Sequence, residues 1–142
     1  MDQEARRRLE DVLDREIEAA RSLAATLAAE RTALTGDSPQ AVEQKAAEKI
    51  QIFGTIEKLE AERRALWAAP GLGLAATIAD RWRALMELMA GCRTANEING
   101  HIIHVRQHQV GQLIDIVRGG PAITYDPQGK TFAKALRALA RA

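Results

Sequence analysis

Along the first third of the chain, Leu9, Leu13, Ala20, Leu23, Leu27 and Leu34 recur in steps of four, seven, three, four and seven. Such spacing draws a heptad-like apolar seam along one helix face, with Arg and Glu filling the other positions. It predicts a helix from about Gln3 to Thr35. Gly36-Asp37-Ser38-Pro39 then stops this helix and starts the next, with Asp37 or Ser38 as N-cap and Pro39 in the first turn. A second helix is expected over about residues 39–68, on the spacing of Val42, Ala46, Ile50, Phe53, Ile56, Leu59 and Leu66, with Arg63 as the polar interruption. Pro70-Gly71-Leu72-Gly73 ends it. This Gly-x-Gly reads as a turn, because no strand precedes it and no third glycine follows at phosphate-loop spacing.

A third helix, the longest, is expected over about residues 74–118. Its seam is marked by Ile78, Trp82, Leu85, Leu88, Cys92, Asn96, Asn99, Ile103, Arg106, Val110, Leu113 and Val117. Gly91, Gly100 and Gly111 each weaken that helix by about 1 kcal/mol relative to Ala. Asn99-Gly100 does not read as a hairpin turn, since the helical period continues in phase through it. Gly119-Gly120-Pro121 breaks the helix, and Asp126-Pro127-Gln128-Gly129 has the composition of a β-turn. Phe132, Leu136 and Leu139 then share one face of a short amphipathic tail helix, opposite Lys134, Arg137 and Arg141. The expected fold is therefore all-α: an antiparallel, coiled-coil-like bundle of three long helices over residues 1–118, with a tail over 119–142.

Lengths sharpen this picture. At 1.5 Å per residue the first two helices run about 45–50 Å and the third about 65 Å, so the third overhangs its partners by roughly 15–20 Å. The overhang carries Val110, Leu113, Ile114, Ile116 and Val117, a patch that a soluble monomer seldom leaves bare. The tail helix, a second copy of the chain, or a bound client must cover it.

Composition narrows the function classes. The net charge of +1 lacks the basic excess of a nucleic-acid binder. One cysteine excludes an internal disulfide and a cysteine-built zinc site. The opening Met1-Asp2-Gln3-Glu4 carries no apolar signal core, and no stretch reaches the roughly 20 apolar residues of a spanning helix, so the chain reads as cytoplasmic. From Lys130 onward there are four basic residues and no acid. That tail suits folding back or protein binding better than an anionic membrane surface, and stable membrane insertion is not expected.

Catalytic chemistry is not expected. His101, His104 and His108 lie on one helix, opposite the main seam, at a spacing that can hold a surface metal. A working site would draw ligands from a second element as well, so they read as a solvated face and neither metal nor cofactor is expected. The lysine and glycine that follow a phosphotransfer histidine are missing. Cys92, in the seam, reads as a small packed hydrophobe. Asn96, Asn99 and Arg106 either fix helix register or recognise a client backbone. Tyr125, in a non-helical segment, either pins the tail or is offered to a partner.

Two segments carry a resemblance. Asn96-Glu-Ile-Asn99-Gly100 in the last long helix, followed by the helix end and by Tyr125-Asp-Pro-Gln-Gly129, resembles the FlgN family of flagellar export chaperones. Lys49 to Arg64, with Ile56, Leu59, Glu60 and Arg63, is similar to that family's second helix. The resemblance implies a cytoplasmic chaperone that binds the C-terminal helical segments of hook-associated, hook–filament junction proteins, prevents their premature assembly and delivers them to the type III export gate. It implies Tyr125 as the gate contact, and it joins with the bare patch at Val110 to Val117 as the client surface. It implies nothing about the basic tail helix or the histidine face. The alternative is a structural adaptor that consumes the overhang by self-association, for instance as a homodimer; a metal-responsive bundle using the histidines is a third reading.

Overall fold

The computed structural model of the chain describes residues 3–69 and 75–119. Three helices follow one another: α1 over Gln3–Leu34, α2 over Pro39–Trp67 and α3 over Ala76–Val117. Helix α3 is the longest, with 42 residues against 32 and 29. The described residues contain no strand. Between α1 and α2, the Ser38 hydroxyl accepts from the Ala41 N–H at 3.2 Å and Pro39 opens the first turn, where its missing N–H costs nothing. The chain divides into two units, Met1–Asn99 and Gly100–Ala142.

In the first unit, cross-helix pairs set the directions. Arg15 meets Glu62, Glu16 meets Arg63 and Glu30 meets Lys49, so α2 runs antiparallel to α1. Glu10 meets Thr77, Asp14 meets Arg81 and Leu27 meets Asn99, so α3 runs parallel to α1. The result is an up-down-up bundle whose core follows the α1 seam. One cluster gathers Leu9, Leu13, Ile17 and Ala20 against Ile78 and Leu85, with Trp67 and Trp82 packed on it. The other gathers Leu23 and Leu27 against Cys92, with Ile52, Ile56 and Ala95 around them.

Helix α2 turns Ile56, Leu59, Arg63 and Leu66 inward as its spacing predicts, but not Ile50 and Phe53. Ile50 is 67% exposed and Phe53 is also exposed, while Ile52 packs against the core. The reason is polar. Lys49 and Arg63 are the α2 residues that meet buried acids of α1, and on a helix their common face excludes Ile50.

In the second unit, α3 continues from Gly100 to Val117 and closes with hydrogen bonds from Arg118 N to Ile114 O and Gly119 N to Ile116 O. Gly119 takes a left-handed φ of 72°, which only glycine adopts freely and which ends the helix.

Candidate interaction surfaces

The α1 seam contains two seven-residue steps, from Leu13 to Ala20 and from Leu27 to Leu34. Each is filled, in phase, by a buried acid: Glu16 in the first and Glu30 in the second. An ionised carboxylate out of water is expensive unless it is paired and hydrogen-bonded, and both are. Glu16 accepts from Arg63 Nε at 3.0 and 3.2 Å. The Arg63 guanidinium also lies 4.7 Å over the Trp82 ring, which itself packs obliquely on Trp67. Burial pushes the Glu16 carboxyl above its ordinary range, with Arg63 opposing that shift. Beside this layer, Arg63, Arg64, Trp67, Ala68 and Trp82 line an open depression of about 380 Å³.

The second layer ties all three helices and contains both motif asparagines. Lys49 Nζ lies 2.9 Å from Glu30 Oε2 and donates to Asn96 Oδ1 at 3.2 Å. Asn99, fully buried, donates through Nδ2 to Leu27 O and to Glu30 Oε1, both at 2.9 Å. Arg31 Nε donates to Asn99 Oδ1 at 3.0 Å. The side chain of Asn99 thus has partners for both amide hydrogens and for its oxygen, which a half-satisfied buried amide would lack at a cost of about 1–3 kcal/mol. Gly100, by contrast, is exposed, and a Cβ there would meet nothing within 4 Å. No local packing requires glycine at that position.

The apolar positions expected to meet a client form a bare strip. Val110 is 48% exposed, Leu113 61%, Ile116 56% and Val117 85%. Ile114, in the same stretch, is half-buried. Leu113 belongs to the seven-residue repeat Ile78, Leu85, Cys92, Asn99, Arg106 and Leu113, whose first four members are buried. The α3 seam therefore keeps its chemistry in phase but changes from buried to exposed. Tyr125, Phe132, Leu136 and Leu139 lie outside the described residues.

The remaining candidates carry no assembled chemistry. His101, His104 and His108 are exposed, and His108 Nε2 lies 3.4 Å from the Gln112 amide nitrogen. Among the described residues no three His, Cys, Asp or Glu side chains gather as a metal site. Cys92 is buried with its Sγ 3.5 Å from Ala20 O, and burial pushes its thiol pKa up, away from the reactive thiolate. Among the described residues no helix is long and apolar enough to cross a membrane.

The first unit is thus a three-helix bundle keyed by two buried charge layers, and α3 in the second unit carries an exposed apolar strip. Residues 1–132 match the family described as FlgN protein, and the chain belongs to that family of flagellar export chaperones. No curated protein matches the chain, and no solved structure does.

Proposed function

We propose that this chain is a cytoplasmic, non-enzymatic export chaperone. It captures the C-terminal helical segments of hook-associated proteins, keeps them from assembling early and hands them to the flagellar type III export gate. The observation that carries this reading is the exposed strip of Val110, Leu113, Ile116 and Val117 in a member of the FlgN family. An amphipathic client helix laid along it buries its own apolar face against a seam of matching period, the helix-in-groove mode of recognition. Each aliphatic side chain so covered contributes about 1.5–3 kcal/mol, so four suffice for a specific, reversible complex. No cofactor enters this scheme. Tyr125 serves as the gate contact, separate from the client strip.

Co-purification with the tagged chain from a flagellated cell lysate tests the proposal. Hook-associated proteins should be retained. A chain that instead recovers only further copies of itself, with the strip buried in a homodimer, is a structural adaptor and not a chaperone.

A further inference from the structure

The depression beside the Glu16–Arg63 layer lies wholly in the first unit and has no part in the client scheme. Its lining is two tryptophans, two arginines and one alanine. Both tryptophans of the chain stand here, half-buried, Trp67 at the end of α2 and Trp82 near the start of α3. Every polar side-chain group on this lining is a hydrogen-bond donor. Arg63 directs its Nε to both Glu16 oxygens, at 3.2 and 3.0 Å, and its Nη2 lies 3.9 Å from Glu60, beyond hydrogen-bond distance. Its Nη hydrogens therefore meet no acceptor among the described residues, although the side chain is only 12% exposed. Neither indole N–H has an acceptor among the described residues either. Arg64 is 74% exposed and holds its i,i+4 neighbour Glu60, a kind of surface pair that exchanges readily for another carboxylate.

We propose that this depression docks a partner peptide segment in which a carboxylate side chain stands beside a large aliphatic one. The aliphatic group packs against the indole rings, and the carboxylate accepts from the free Nη hydrogens of Arg63 and from Arg64. Complementarity of charge and hydrogen bonding chooses this chemistry. A cluster of donors with no side-chain acceptor rejects a cation or an amide N–H, and the planar guanidinium fork matches a carboxylate. Size and shape choose a short segment. About 380 Å³ is near the lower end of the roughly 300–1,000 Å³ of ligand pockets, and an open depression cannot enclose most of a free small molecule as those pockets do. A helix laid in a groove needs anchors over several turns, whereas this lining gathers at one end of α2. Trp and Arg are also the residue types that dominate the energy of small protein contacts.

Intrinsic tryptophan fluorescence of the full-length chain reads this site, since both tryptophans line it. The probe is a blocked pentapeptide, acetyl-Ser-Leu-Asp-Leu-Ser-amide, which has no aromatic group of its own. Its titration should change the emission saturably, with a Kd below about 1 mM. The same peptide with Asn in place of Asp should bind at least about tenfold more weakly. Arg64→Gln, at an exposed position, should keep the helical circular dichroism signal and weaken the pentapeptide at least about threefold. Leu113→Asp should bind it as the wild type does, so failure here and failure of the chaperone reading are told apart. No emission change up to about 10 mM peptide, equal binding of the Asn peptide, or undiminished binding by Arg64→Gln would each overturn the proposal. So would N-acetyl-leucine binding as tightly as the pentapeptide (a small-molecule site), or an emission that shifts with protein concentration alone (a second copy as the occupant).

Discussion

Asn99 and Glu30 meet in the interior of the bundle, where the asparagine amide donates to the carboxylate across 2.9 Å. The same asparagine also donates to Leu27 O and accepts from Arg31, so one α3 side chain reads three positions of α1. A slip of α3 along α1 by one turn would break all three bonds and leave Glu30 with fewer partners. Asn99→Ala should cost about 1–3 kcal/mol in denaturant unfolding, because it strips hydrogen bonds from buried groups without changing the apolar seam. A change of less than half a kcal/mol would mean that the layer does not lock the register.

The Glu16–Arg63 layer predicts a pH dependence of definite sign. Its carboxyl is held above the ordinary range in the folded chain, chiefly by burial, so the folded state binds this proton more tightly than the unfolded state does. Glu16 therefore favours folding most at acid pH, and that contribution is lost as pH rises through the raised folded value. Glu16→Gln removes the titration. The stability difference, wild type minus variant, should fall as pH rises from about 4 to 7. A difference that grows with pH would show that pairing with Arg63 outweighs desolvation. Removing only the cation, as in Arg63→Leu, strands a buried carboxylate and should cost about 3–5 kcal/mol.

How much of this was legible in the sequence depends on which interactions decide each feature. Helix bounds were, because Gly36 to Pro39 and the glycine-proline breaks act locally. The inward face of α2 was legible at Ile56, Leu59, Arg63 and Leu66 but not at Ile50 and Phe53. Ile50 and Phe53 keep helical spacing with their neighbours, yet the face is chosen by Lys49 and Arg63 meeting acids on another helix. The signal was present in α1 all the same: the two seven-residue steps hold Glu16 and Glu30 in seam phase, and a buried acid calls for a cation opposite. Asn96 and Asn99 were placed in the α3 seam from sequence; their sharing of one layer with Glu30 and Lys49 needed the helix register. The exposure of Leu113 is not encoded in the periodicity of α3, but the greater length of that helix than of its partners already pointed to it.

The proposed gate contact at Tyr125 predicts an effect on delivery and not on capture. Tyr125→Ala should weaken binding to the export gate and slow export, while affinity for a hook-associated segment and the melting temperature change little. A drop of many degrees in melting temperature with gate binding intact would make Tyr125 a staple for the tail.

The central claim is that the bare α3 strip is where a client helix binds, and titration calorimetry on one variant tests it most directly. Leu113 is 61% exposed, so Leu113→Asp removes no core contact and should leave the helical circular dichroism signal unchanged. In the complex the same substitution places a carboxylate against an apolar helix face, forfeiting about 1.5–3 kcal/mol of burial before any desolvation cost. The account predicts that the wild type binds the C-terminal segment of a hook-associated protein, and that Leu113→Asp weakens this at least thirtyfold, by roughly 2 kcal/mol or more. Unchanged affinity in a fully helical Leu113→Asp variant would contradict it.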